Sequence, residues 1–217
     1  GGVLVTNNRK FFERALLLSD FGPRIQNEIK LKELKKYNET GLGFKHRIHP
    51  VSAAVANNEL KKINFYIKKR HKMLNFISKE IRKIPGLSPP ITRSHVNRGA
   101  YFGYRPFFNS HELNNISIKN FIKIMQAEGV EVRQAGNRPL HLLPLFFKKK
   151  NNLIAFDKKS KHSANYKSVN LPNSEIFFNS TLSLPTFTFE KKKLVKQYIL
   201  AFQKVCYYLN NKNKSNA

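Results

Sequence analysis

Cysteine is almost missing from this 217-residue chain, which carries one, Cys206, and no tryptophan. A single thiol can build neither an intrachain disulfide nor a Cys-based zinc module, so a reducing compartment, the cytoplasm, is the expected setting. Acidic residues are scarce too. Thirteen Asp+Glu stand against forty Lys+Arg, a formal net charge of +27, and the few carboxylates are too scattered for spacing to nominate a general acid and a base. No apolar run approaches the roughly 18–20 residues of a membrane span. The opening residues Gly1–Thr6 lack the basic region and the long apolar stretch of a signal peptide. Beginning on Gly1 and not on Met, the sequence reads as starting inside a longer one.

What is present argues for a folded core. Hydrophobic residues make up 41% of the chain, among them 18 Phe and 8 Tyr, which excludes disorder throughout and suits one or at most two domains. The charge has two readings. Clusters such as Lys68-Lys69-Arg70, Lys148-Lys149-Lys150 and Lys191-Lys192-Lys193 could neutralise phosphates along a nucleic acid, with aromatic side chains between them for stacking. Alternatively Lys, Asn, Ile and Phe are over-used across the whole chain, as an AT-rich coding sequence would make them. The lysines are spread over every predicted element and no RNA-binding or helix-turn-helix signature accompanies them, so we take the compositional reading and expect no specific nucleic-acid site.

Along the chain, Val3-Leu4-Val5-Thr6 reads as a buried strand. Asn7 or Asn8 then caps a helix with Phe11, Phe12, Ala15, Leu16 and Leu18 on its apolar face, ending near Gly22-Pro23. Residues 24–40 are polar and weakly helical with no core face, and Gly41-Leu42-Gly43 breaks what precedes it. Pro50 opens a long helix whose apolar stripe is Ala54, Val55, Leu60, Ile63, Ile67, Leu74, Ile77, Ile81 and Ile84, ended by Pro85-Gly86.

Beyond the Pro89-Pro90 loop, residues 100–108 read as an aromatic strand. Ser117 caps a helix with Ile118, Phe121, Ile122 and Met125 on one side, closed by Gly129. Val130-Glu131-Val132-Arg133 alternates as a half-exposed strand, residues 148–170 read as a surface insertion, and residues 180–185 as a short strand. A last helix starts near Glu190 with Leu194, Val195, Tyr198, Ile199, Phe202, Val205, Cys206 and Leu209 inward, before a polar tail over 210–217. Helices alternating with short strands make an α/β or α+β architecture.

Residue chemistry alone yields no self-sufficient catalytic set. His46 and His49 stand three apart with no carboxylate to complete a metal site, and Cys206 reads as core filler.

Several segments taken in order carry a resemblance. They are Gly1-Gly2-Val3-Leu4-Val5-Thr6-Asn7, residues 41–50 (Gly41-Leu42-Gly43-Phe44-Lys45-His46-Arg47-Ile48-His49-Pro50) leading into Ala53-Ala54-Val55-Ala56, then Pro85-Gly86-Leu87, Gly99-Ala100-Tyr101-Phe102-Gly103-Tyr104, residues 127–132, and residues 139–146 around His141. Together they resemble the DegT/StrS family of pyridoxal-phosphate-dependent sugar aminotransferases, and the versions at 45–50 and 99–104 resemble its glutamine:scyllo-inositol or scyllo-inosose aminotransferase branch.

That resemblance implies an α/β fold, the C-terminal part of a fold-type-I aminotransferase. Its divisions would be the end of the large cofactor domain (1–50), a connecting helix (51–84), a small C-terminal domain (85–209) and a frayed tail (210–217). It implies pyridoxal 5'-phosphate as cofactor, a homodimer, glutamine or glutamate as amino donor, and a keto sugar or keto cyclitol as acceptor. The Schiff-base lysine is expected upstream of Gly1, because the family places it shortly before a Gly-Glu-Gly-Gly turn whose last two glycines this sequence matches. Lys45 and Arg47 are then candidates for the cofactor phosphate of the neighbouring subunit, a solvated loop pair being the alternative. His46 stands where the family has an aromatic. His141 matches a substrate-side histidine, with a hydrogen-bonded structural role as its alternative, and Tyr101 is a second substrate-side candidate unless it packs the small domain with Tyr104. The remaining functional alternatives are a basic nucleic-acid-binding protein and a truncated, non-catalytic gene product.

Overall fold

The computed structural model describes residues 2–144, 169–189 and 192–215. The insertion expected at 148–170 and the clusters Lys148-Lys149-Lys150 and Lys191 fall largely or wholly outside them. The described residues form two units, 1–63 and 64–217.

In the first unit the Asn8 side chain accepts the Phe11 N–H at 3.2 Å and opens α1 (Arg9–Ser19), which satisfies one of the amides a helix start leaves unpaired. Gly22, at φ 78, turns the chain into α2 (Pro23–Glu28), and α3 (Lys32–Lys35) follows. Leu16, Leu17, Ile25, Ile29 and Leu34 close into a small core, so the stretch read as lacking a core face supplies more than half of one. Its apolar residues stand four and five apart across two short helices and a turn, a spacing that no single periodicity reveals.

The α1 face also differs from expectation. Phe11 and Leu18 are exposed, and Glu13 is fully buried beside Leu16 and Leu17. Residues 3–5 form no strand and lie open to solvent, Val3 being 92% exposed. A strand needs a hydrogen-bonded neighbour, and none of the described residues supplies one.

Pro50 does open a long helix, α4 (Pro50–Ile81), 32 residues and so about 48 Å long. Its stripe is buried only over the last turns, at Leu74, Ile77 and Ile81, while Val55, Leu60 and Ile63 are exposed.

The second unit is built on that end of α4. Two short antiparallel ladders, β1 (Leu87–Ser88) with β2 (Phe107–Phe108) and β3 (Arg133–Gln134) with β4 (Leu182–Ser183), are joined by bridges from Tyr104 to Leu184 and from Phe107 to Thr181. The aromatic strand expected over 100–108 thus shrinks to its end: Tyr101 has φ 53 and Phe102 is almost fully exposed. Val130 and Val132 are buried as alternation requires, although pairing begins only at Arg133.

Ser117 caps α5 (Ile118–Ala127) by accepting the Asn120 N–H, and Gly129 at φ 82 closes it. After α6 (Pro172–Asn179), α7 (Lys192–Ser215) lays Val195, Ile199, Phe202, Val205, Cys206 and Leu209 onto the core that also holds Leu74, Ile81, Tyr104, Phe121 and Met125. Leu194 is on its exposed side, and the helix continues through most of the expected tail. No helix among the described residues is long and apolar enough to cross a membrane.

Candidate functional site

Lys45 and Arg47 lie in the segment between Gly41 and Pro50, and its backbone explains where they point. The last carbonyls of a helix have no intrahelical partner. Here Leu17, Leu18 and Ser19, at the end of α1, accept the N–H groups of Leu42, Phe44 and His46 at 2.8, 3.2 and 2.9 Å. The segment is therefore a strap fastened to the helix end at every second residue.

Gly41 makes its close approach possible. At φ 53 it sits where a Cβ would lie 2.5 Å from the Leu17 carbonyl oxygen, an impossible contact. Phe44 and His46, two apart, stack at 5.8 Å and 12°.

The other members of the strap converge on the turn after α1. Lys45, in the left-handed region at φ 55, carries its ammonium over the Phe21 ring, 5.7 Å from the centroid. Arg47 places Nε 3.5 Å from Asp20 Oδ1. The structure thus brings the two cofactor-side candidates together on consecutive residues, with Arg24 also 3.9 Å from Asp20 Oδ2. Asp20 and Phe21 were missed by sequence reasoning. The Asp20–Arg24 spacing of i,i+4 was the one local signal, and nothing in the sequence pairs Asp20 with Arg47.

The substrate-side candidates have partners of their own in the second unit. His141 sits in a 3₁₀ turn (Leu140–Leu142), buried, with Nε2 3.0 Å from Glu175 Oε1 in the first turn of α6. An ionised carboxylate only accepts, so Nε2 carries the proton. A cavity of about 390 Å3 is lined by chain neighbours of this pair, Pro139 and Ser174, together with Gly136, Asn137, Asn173, Phe177 and Phe178.

Tyr101 is half-buried, its ring edge-on to His71 at 5.2 Å and under the Arg98 guanidinium at 4.9 Å. Its loop is pinned to α4, because Arg70 donates to the Ala100 carbonyl at 2.9 Å and His71 Nε2 donates to the Gly99 carbonyl at 3.0 Å. Tyr104 is fully buried, its hydroxyl 2.8 Å from Ser78 Oγ, and burial pushes its pKa up to about 12. It packs the core, as does Cys206, whose thiol burial likewise pushes up to about 12.

Comparison with known proteins decides the family. The model of the DegT/DnrJ/EryC1/StrS aminotransferase family matches residues 1–201. The chain belongs to that family. A UDP-4-amino-4,6-dideoxy-N-acetyl-beta-L-altrosamine transaminase of Campylobacter jejuni subsp. jejuni serotype O:2 is 32% identical over 88 residues, 41% of this chain and 22% of that protein. The aminotransferase from Psychrobacter cryohalolentis superposes with a TM-score of 0.69 at 16% identity, over 94% of this chain and 49% of that one. A DegT DnrJ EryC1 StrS aminotransferase from Brucella abortus gives 0.64 at 17% identity, over 93% and 45%.

These solved structures establish the fold, part of a fold-type-I aminotransferase. The chain spans about half the length of those structures, and its aligned region about a fifth of the length of the C. jejuni enzyme.

For pyridoxal phosphate, the cofactor of such aminotransferases, the donor set present fits the phosphate. Lys45 and Arg47 together offer an ammonium and a planar guanidinium, the latter with terminal N–H donors beyond the one turned to Asp20.

Proposed function

We propose that this chain supplies the phosphate-holding strap and the substrate-side domain of a pyridoxal-phosphate-dependent aminotransferase. On this reading the enzyme moves an amino group from glutamine or glutamate to a keto sugar or keto cyclitol, and works as a cytoplasmic homodimer. The observation that carries the reading is the convergence of Lys45 and Arg47 on Asp20 and Phe21, in a chain whose family match runs over residues 1–201. The cofactor, when bound, supplies the electron sink that lets nitrogen pass between carbon skeletons. Arg47 and Lys45 bind its phosphate across the dimer, which fixes the cofactor's position without taking part in bond making.

His141 holds its proton on Nε2 against Glu175, so its ring orientation is set before a substrate arrives. Tyr101 borders the substrate from a loop that Arg70 and His71 fasten to α4. On this reading the anchoring lysine is not among these 217 residues, and the net charge of +27 serves no specific nucleic acid.

The test uses the arginine reagent phenylglyoxal on the full chain. Pyridoxamine 5'-phosphate, which has the phosphate but no aldehyde for lysines to capture, is expected to protect Arg47, and pyridoxamine is not. Arg47→Ala should weaken pyridoxamine phosphate retention by about 1.5–3 kcal/mol, the range of one hydrogen bond to a charged group. Equal modification of Arg47 with and without the phosphate compound would remove the reading.

A further inference from the structure

Asp20 is only 1% exposed, yet its charge is not fully used by the fold. Oδ1 accepts the Phe21 N–H at 2.9 Å and faces Arg47 Nε, while Oδ2 has no hydrogen-bond partner among the described residues. Burying a carboxylate is costly unless its oxygens are satisfied. The end of α1 does not need this one: the Asp20 N–H already closes on Leu16, and the strap serves the carbonyls of Leu17, Leu18 and Ser19. What the carboxylate does is hold two arginines, Arg24 and Arg47, and of these Arg47 belongs to the strap.

We propose that Asp20 is a positioning residue for phosphate recognition, an inference that rests on the reading of Arg47 above. The Arg47 side chain is 54% exposed and on its own would sample many rotamers. With Nε drawn to Asp20, the rigid guanidinium plane is oriented and its terminal amino groups are presented together. Lys45 is steered over Phe21, the next residue, so one turn of chain holds both cations before the anion arrives.

The sign of one measurement separates this role from simple charge. Asp20 is an anion beside an anion site, and by Coulomb's law its neutralisation alone would tighten phosphate binding. Lost positioning would weaken it. Calorimetric titration of the full chain with pyridoxamine 5'-phosphate, less the affinity for pyridoxamine, isolates the phosphate contribution. Asp20→Asn, which keeps an acceptor for the Phe21 N–H, is expected to lower that contribution about tenfold, the equivalent of one charge-assisted hydrogen bond. In an Arg47→Ala background the same change should do nothing further.

Unchanged or tighter binding by Asp20→Asn, with Arg47→Ala still weakened, would overturn the role of Asp20 and leave the phosphate reading standing. An equal loss in both backgrounds would also overturn it, since Asp20 would then act on something other than Arg47. No loss in Arg47→Ala would overturn both. Should Asp20→Asn fail to fold by circular dichroism, the unaltered chain decides. The Arg47 Nε–H resonance should exchange with water more slowly than that of exposed Arg93, and equally fast exchange would end the proposal.

Discussion

Replacing Glu13 probes how the first unit is held together. Its carboxylate, fully buried, accepts the N–H of Lys30 on Oε1 and of Leu31 on Oε2, both at 3.0 Å, and takes Arg9 Nε at 2.6 Å. One side chain thereby ties the middle of α1 to the turn between α2 and α3. Burial alone would raise the Glu13 pKa, but the two backbone amides and Arg9 outweigh it and hold the carboxyl below its ordinary value.

Glu13→Ala leaves both amides without their acceptor. A hydrogen bond to a charged group contributes about 1.5–3 kcal/mol. Lys30 is exposed and Leu31 half-buried, so water replaces part of each bond and the expected total loss is roughly 2–4 kcal/mol. Glu13→Gln keeps one acceptor but turns an NH2 group toward the other amide, an expected loss of about 1–3 kcal/mol.

The sign with pH follows from the lowered pKa. The contribution is complete above the ordinary value of 4.5 and is lost as pH falls through the lower folded value. Urea unfolding, with hydrogen exchange at the Lys30 and Leu31 amides, should show wild type and Glu13→Gln furthest apart near neutrality and converging in acid. A Gln variant as stable as wild type, with the same acid profile, would refute this account of the unit.

Two further predictions concern the second unit. Tyr104 and Cys206 both have folded pKa values pushed up to about 12, from 10.0 and 9.0, so the folded state holds protons that the unfolded chain releases first. Stability should be whole below about pH 9 and fall as pH rises toward 12, at about 1.4 kcal/mol per pH unit for each group. Cys206→Ala should delay the onset by about one unit in an alkaline melt, and an unshifted onset would count against it. Gly86→Ala should cost about 1–3 kcal/mol, because φ is 71 and the added Cβ would lie 2.4–2.9 Å from Leu113 side-chain carbons. Adding Leu113→Ala should change the double variant's thermal stability by less than the sum of the single losses, and strict additivity would argue against the clash.

Local signals survive into the structure better than long-range ones. Asn8 and Ser117 cap helices, Pro50 opens one, and the inward face of α7 is legible from Val195 to Leu209, because each depends on residues within a few turns. The exposed Val3–Val5 and the bare first turns of α4 show the limit: apolar spacing announces a face but not what covers it. Glu13 was invisible for the opposite reason, since a buried carboxylate reads as surface until its amides, 17 and 18 residues away, fold against it. At the candidate site, ordered motifs picked out Lys45, Arg47, His141 and Tyr101. Their partners Asp20, Glu175 and His71 lie 27, 34 and 30 residues away from them, beyond any helical or strand period.

The fastening of the strap to α1 divides its positions by parity. Leu42, Phe44 and His46 are fastened through their main-chain N–H, which no proline could supply, and beyond the stacking of the Phe44 and His46 rings the fastening makes no demand on their side chains. Lys45 and Arg47 are used through their side chains, and their amides are not part of the fastening. A segment built this way tolerates changes of composition far better than changes of length. One residue inserted or deleted between Gly41 and Arg47 would leave either the carbonyls at the end of α1 or the two cations out of register, whereas a pair of residues added together would preserve the alternation.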